Sequence, residues 1–290
     1  MVHGGDAFRE PAVVDDAVEA ALERLTELAP LHNAPALSVL REARRTLPAV
    51  PHVAVFDTAF HATVPEEASV YAVPARWRTE WGIRRYGFHG LSVQWAAERV
   101  PVSRLVVCHL GGGCSVTAVL DGRSVDTTMG FSPLEGVPMA TRSGSIDAEI
   151  VLLLLRRGLL SPEQVELALE HESGLLGLSG VSSRVEELER SSEPAAELAL
   201  AVFAKRVAAA VAAMTTSLGG LDALVFTGGV GEGSAPVRAD VCRRLTHLGV
   251  RLDEEADEGE APVRVEVVPA REDVIAAREA RSATAASATS

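Results

Sequence analysis

Twice in this chain a short, wholly apolar run ends abruptly in a cluster of glycines. Leu105-Val106-Val107-Cys108 leads into His109-Leu110-Gly111-Gly112-Gly113, and Ala223-Leu224-Val225-Phe226 leads into Thr227-Gly228-Gly229-Val230-Gly231-Glu232-Gly233. Apolar runs without polar alternation predict buried strands. Glycines directly after them let the backbone approach an anion and aim N–H groups at it. Neither turn is a Walker loop, because no Gly-Lys-Ser/Thr follows, and neither has the spacing of a dinucleotide fingerprint. As a pair they predict a ligand site split between two strand ends.

The intervening sequence predicts mixed α/β architecture. Val14, Val18, Ala21, Leu22, Leu25 and Leu28 form a helical stripe over residues 13–29, which Pro30 is expected to end before an irregular piece, Leu31 to Pro35. Val53 to Phe56 reads as a short strand ending in Asp57. Ser115–Leu120 and Ser124–Thr127 flank Asp121-Gly122, a type I′ hairpin signal. Ser161-Pro162-Glu163-Gln164 is a capping box with Pro in the first turn. An Ala-rich helix is predicted over about 194–217, a last strand over 263–268 and a last helix over about 272–281, with the Ala/Ser/Thr tail after Ser282 frayed.

Composition narrows the function classes. With 40 acidic against 27 basic residues the net charge is −13, the opposite of what a phosphate-backbone binder needs, so no nucleic-acid partner is expected. Cys108, Cys114 and Cys242 have no metal-ligand spacing and suggest a reducing, cytoplasmic setting. The longest apolar run, Ile150 to Leu155, is far short of a bilayer span, so no membrane partner is expected either.

Two further segments carry polar chemistry. In Arg84-Arg85-Tyr86-Gly87-Phe88-His89-Gly90 a histidine flanked by glycines is poorly suited to a core. From Asp126 to Gly144 runs a long non-periodic stretch containing Pro133, Pro138 and, near its end, Thr141-Arg142-Ser143-Gly144. Long irregular segments inside compact domains are usually functional, and Arg142 has the form of an oxyanion clamp.

These pieces together closely resemble the acetate kinase family. The resemblance is carried by Val55-Phe56-Asp57-Thr58-Ala59-Phe60-His61, Tyr86-Gly87-Phe88-His89-Gly90, His109-Leu110-Gly111, Met129 to Gly136, Thr141 to Gly144, Ser173 to Gly180 and Val225 to Gly229, in the family's order over nearly the whole chain. It implies a two-domain actin-like ATPase (ribonuclease H-like) fold that clasps ATP in a cleft. Residues 1–57, with 270–290 packing back on them, would be a remnant of the first domain, and 58–269 the second. The implied reaction is reversible phosphoryl transfer between ATP and acetate, giving ADP and acetyl phosphate, with Mg2+ and a homodimer formed through the second domain.

Carried over position by position, Asp57 matches the family's catalytic aspartate, and His89 and Arg142 its transition-state stabilisers. His109, Leu110, Gly111, Gly112 and Gly113 match a phosphate loop, and Gly229, Val230, Gly231, Glu232 and Gly233 the second nucleotide loop. Arg184, Val185 and Glu186 stand where the family has Asp-Phe/Met-Arg near the adenosine. Glu272 matches a magnesium-associated glutamate, and His32 and Asn33 a signature near the acetate cleft. Gly112 and Gly233 replace family asparagines.

The resemblance also implies an absent N-terminal segment. The family opens with an Asn-x-Gly-Ser-Ser-Ser-x-Lys loop, and Met1-Val2-His3-Gly4-Gly5 resembles its later Arg-Val-Val-His-Gly-Gly. A misplaced start or disrupted gene is expected, and the isolated chain is expected to be poorly soluble or partly unfolded over its first 50 residues; beside the acetate kinase reading, a catalytically impaired remnant is the alternative. Translation of the DNA upstream of Met1 is expected to reveal that loop in frame, and its absence would sink the misplaced-start reading. A propionate or butyrate kinase is the third reading.

Overall fold

The computed structural model describes residues 1–28, 30–251 and 263–287. Its centre is a five-stranded mixed sheet in the order β5-β4-β3-β6-β7, with β3 Arg104–Leu110, β4 Cys114–Leu120, β5 Arg123–Thr127, β6 Ala223–Thr227 and β7 Arg264–Val267. β3, β4 and β5 form an antiparallel meander, whereas β6 pairs parallel with β3 and with β7. The β4–β5 turn has Asp121 at φ 47° and Gly122 at φ 78°, the two positive φ values that the Asp-Gly pair predicts.

Strand alternation gives the sheet two apolar faces. Val106, Cys108, Leu110, Leu224 and Phe226 face one way, toward the long helix Pro194–Leu218. Ala196, Ala199, Phe203, Val207, Val211, Met214 and Leu218 recur on that helix every three or four residues and are buried. The helix is apolar and long enough to cross a bilayer by composition, yet its buried stripe packs on β3, β4 and β5. Leu105, Val107, Ala223 and Val225 face the other way, against Val93, Ala96 and Ala97 of the helix Gly90–Arg99. The helix Glu272–Ser287 lies on that same helix, joined to it by Arg278–Glu98 and by Gln94 donating to Glu279.

A smaller unit precedes Asp57. Strands β1, Ala12–Val13, and β2, Val53–Ala54, pair antiparallel over a cluster of Val14, Leu22, Leu37, Ala54 and Phe56, with Phe8 stacked on Phe56 at 4.8 Å. The C-terminal helix also touches both of these strands.

Three local expectations change. Pro30 begins a helix, Pro30–Thr46, where the sequence predicted irregular chain, because the first helical position donates no intrahelical bond and proline fits it. Residues Gly228–Gly233 form a short helix after β6, in place of an open loop. The tail stays helical to Ser287, and residues 288–290 lie outside the described residues.

The packing sets a test. Truncation of Phe203, which is 1% exposed, to Ala is expected to cost about 3–5 kcal/mol in denaturant unfolding. Leu198→Ala on the same helix, at a residue 58% exposed, is expected to stay within about 0.5 kcal/mol.

Candidate active site

Parallel pairing of β3 with β6 places His109 opposite Thr227 and brings both carboxyl ends of these strands to one edge. Both residues continue the alternation that puts Leu105, Val107, Ala223 and Val225 on the face of the helix Gly90–Arg99. His109 Nδ1 therefore meets that helix, 2.8 Å from Ser92 Oγ. Its Nε2 lies between the two glycine turns: a Cβ built on Gly228 would sit 3.2 Å from it, and one on Gly111 3.8 Å. The Gly111 Cβ would also lie 3.9 Å from the Gly229 amide nitrogen, so the turns meet edge to edge. The Thr227 hydroxyl is buried with no hydrogen-bond partner among the described residues.

Asp57 closes the opposite side. One of its carboxylate oxygens accepts the His89 N–H at 2.8 Å, and its carbonyl accepts the Gly90 N–H at 2.9 Å. The Asp57 charge thus caps the start of the helix Gly90–Arg99, where aligned peptide dipoles favour an anion. Gly90 is required there, since a Cβ would fall 2.3 Å from the Asp57 carbonyl oxygen. His89 precedes it in the left-handed region, φ 60° and ψ 24°. That conformation is unusual for a residue with a Cβ and is characteristic of functional positions. It turns the ring inward, with Nδ1 3.0 Å from Ser115 Oγ and the ring centre 4.2 Å from that of His109.

Arg142 arrives from the irregular stretch, whose path is set by backbone bonds from Met139 to the Arg142 carbonyl and from Ser145 to Gly136. One terminal nitrogen donates to the Pro133 carbonyl at 3.4 Å and the other to His32 Nε2 at 3.3 Å. Arg142 Nη1 and His89 Nε2 converge over Gly113, where a Cβ would lie 3.4 and 3.2 Å from them. Two imidazoles, a guanidinium and two glycine turns thus surround one small space. Such a set stabilises negative charge spread over several oxygens.

Comparison with known proteins gives this geometry a lineage. Residues 1–278 match the acetokinase family. An acetate kinase of Synechococcus sp. is 46% identical over 94% of this chain and 72% of its own length. The chain belongs to the acetokinase family. A propionate kinase of Citrobacter rodentium is likewise 46% identical, over 96% of this chain and 74% of its own length. The crystal structure of a propionate kinase from Francisella tularensis superposes with a TM-score of 0.91 at 35% identity, covering 96% of this chain and 77% of that one. The fold is therefore the actin-like ATPase fold, and family members are ATP-dependent phosphotransferases.

Within this acetokinase frame the predicted residues divide. Asp57, His89, His109, Arg142, His32 and the turns at Gly111–Gly113 and Gly229–Gly233 come together. Glu272, first residue of the last helix, joins them: burial and the charge of Asp57 both raise its pKa. Nothing lies within 4 Å of a Cβ on Gly112 or Gly233, so the two positions that differ from the family pattern have room for a larger residue. Leu110 supplies backbone only, its side chain being fully buried in the core.

Asn33 is a correction. Its Oδ1 accepts the N–H groups of Val2 and His3, and its Nδ2 donates to the carbonyls of His3 and Leu25, so its bonding capacity is used internally and none remains for a substrate. Val185 is a core residue 2% exposed, packed in the cluster that includes Phe203, so like Leu110 it offers only backbone to a ligand. Arg184 and Glu186 are surface groups, and Arg184 pairs with Glu187 at 3.4 Å. Sequence reading missed Ser92, Ser115 and Thr227, as well as Arg238, whose guanidinium holds the carbonyls of Gly231 and Glu232 at 2.9 and 2.8 Å. The cross-strand pair His109↔Ser115 was the one signal that could have found Ser115, once the register was known.

Burial decides the charge states. It lowers His109 to about 4, and burial, with repulsion from the neighbouring imidazoles and Arg142 against a second positive charge, holds His89 well below its ordinary value. Burial also lowers His3 and His61 to about 4. At neutral pH these rings are uncharged. Because their folded values are depressed, the unfolded chain takes up protons first as pH falls, so stability present above about 6.5 is lost toward about 4. A melting temperature flat from pH 8 to 7 and falling steadily from 6.5 to 4 is expected by calorimetry. An unchanged melting temperature at pH 5 would contradict it.

Proposed function

We propose that this acetokinase-family chain transfers the γ-phosphoryl group of ATP to acetate, reversibly, giving acetyl phosphate and ADP. The observation that carries the proposal is the convergence of Arg142, His89 and His109 over the two glycine turns. Acetate is ionised at neutral pH, so its oxygen attacks phosphorus without a general base. Catalysis then reduces to positioning and neutralising charge on the transferring group. Arg142 presents a planar fork of donors to the equatorial oxygens, held at its outer end by His32. His89 and His109, neutral, each offer Nε2 toward this space while Ser115 and Ser92 engage Nδ1. The unpaired Thr227 hydroxyl and the backbone of the two glycine turns suit the phosphate chain.

Asp57 and Glu272 suit a magnesium ion. Burial raises both carboxyls, and the Asp57 charge raises Glu272 further, a conflict that a hard cation with oxygen ligands relieves. No group of three or more His, Cys, Asp or Glu side chains forms a metal cage among the described residues, so phosphate oxygens and water would complete the shell, as is usual for Mg2+. The ion would supply charge neutralisation on the phosphates.

A second substrate reading, propionate, is favoured by the 46% identity to the Citrobacter rodentium propionate kinase. One methylene changes discrimination by only about 1–3 kcal/mol. The buried free thiols at Cys108, Cys114 and Cys242 support a reducing, cytoplasmic setting. A homodimer through the sheet domain is supported by the helix Ala148–Arg156, none of whose residues is buried and which exposes Ile150, Leu152, Leu153 and Leu155.

In a hydroxamate assay with ATP and Mg2+, acetate is expected to give product, with propionate run beside it to rank the substrates. Arg142→Ala is expected to lower kcat by about 10²–10³-fold. A folded chain that binds nucleotide but makes no hydroxamate is the catalytically impaired form, and one that binds no nucleotide sinks the proposal. Light scattering tests assembly: Ile150→Asp with Leu153→Asp is expected to shift a dimer to monomer, and an unshifted dimer places the interface elsewhere.

A further inference from the structure

The second glycine turn and the start of the last helix come from distant parts of the chain, yet one carboxylate oxygen holds both. Glu232 Oε1 accepts the Gly228 N–H at 3.0 Å, curling back to the start of its own short helix. The same oxygen accepts the Ala270 N–H at 3.0 Å. Ala270 lies two residues before Glu272, the carboxylate whose pKa Asp57 raises. The segment is anchored from its other side as well, since Trp95 of the helix Gly90–Arg99 donates its indole N–H to the Pro269 carbonyl at 2.9 Å. No cation pairs with Glu232 in an ion pair among the described residues, and its bonding is to backbone.

We propose that Glu232 is a positioning residue, a clasp that sets the distance between the nucleotide loop Gly228–Gly233 and the magnesium-associated carboxylate Glu272. This inference rests on the nucleotide reading of the loop and departs from it in one respect. Glu232 Oε1 is occupied by two backbone amides, so this oxygen serves the backbone and not the nucleotide. Its contribution is to make the loop and Glu272 act on one ligand together. Without the clasp, the loop still offers amides to phosphate, but Glu272 is no longer held at the reach that a shared cation requires. The loss therefore falls on the coupling between metal and nucleotide, more than on the affinity for nucleotide alone. Partners that orient a metal-associated group from behind typically affect metal affinity by about 10–100-fold.

The test is calorimetric titration of ADP into the full chain, with EDTA and then with Mg2+, for wild type, Glu232→Ala and Glu232→Gln. Binding by wild type establishes the nucleotide reading first, and its failure there is distinct from failure of the clasp. The expected result for Glu232→Ala is an ADP affinity within about twofold of wild type in EDTA, with the Mg2+ enhancement reduced about tenfold or more. Glu232→Gln keeps an acceptor oxygen and is expected to restore most of the enhancement. Amide exchange at Gly228 and Ala270 is expected to quicken in Glu232→Ala only. An unchanged Mg2+ enhancement in Glu232→Ala overturns the proposal. So does an equal weakening of ADP with and without Mg2+, which would mark a direct contact or general damage to the loop.

Discussion

Everything in this site depends on the parallel pairing of β3 with β6. Parallel strands end at the same edge of a sheet, and in this register His109 stands beside Thr227 where the two glycine turns begin. An antiparallel arrangement would have sent one turn to the far edge, some strand length away. The pairing also settles which way His109 points. It continues a face already committed to Leu105, Val107, Ala223 and Val225, so its ring must enter the space beneath the helix Gly90–Arg99.

That helix is the second organising element. Its N-terminus is where peptide dipoles and unpaired amides favour negative charge, and Asp57 occupies it through its bond from the His89 N–H. The same helix supplies Ser92 to His109 and Trp95 to Pro269. One rigid body therefore aligns an acid, two histidines and the segment that leads to Glu272. Its packing on the sheet, through Val93, Ala96 and Ala97, is what makes that alignment stiff. The left-handed backbone at His89 is tolerated because bonds on both sides fix it: its own N–H to Asp57, and its ring to Ser115.

The charge arrangement follows from burial. Histidines taken out of water beside an arginine stay neutral, so they act as hydrogen-bond donors and leave the formal positive charge to Arg142. Carboxylates in the same surroundings are held with raised pKa values at Asp57 and Glu272. The site is thus divided into a donor side, around Arg142 and the turns, and an acceptor side, around Asp57. A phosphate group with its cation is complementary to that division.

Local sequence determined a good deal. The two strand–glycine turns, the Asp-Gly hairpin and the capping box at Ser161 follow from side-chain volume, glycine φ freedom and capping geometry, which act over a few residues. The long motifs determined the family, and with it most of the residues that meet in the cleft. Breaker signals are ambiguous even locally, and long-range contact overrides the rest. Pro30 starts a helix where irregular chain was expected, because proline suits a first helical position as well as a helix end, and Asn33, read as a substrate contact, is spent on the backbone of Val2, His3 and Leu25. Only the tertiary structure decided that Ser92 and Ser115 hold the two histidines, and that Glu232 joins two segments separated by 38 residues. Hydrogen-bond partners distant in the chain leave no period or spacing to read, because the register of strands and the packing of helices, not the order of residues, bring them within 3 Å.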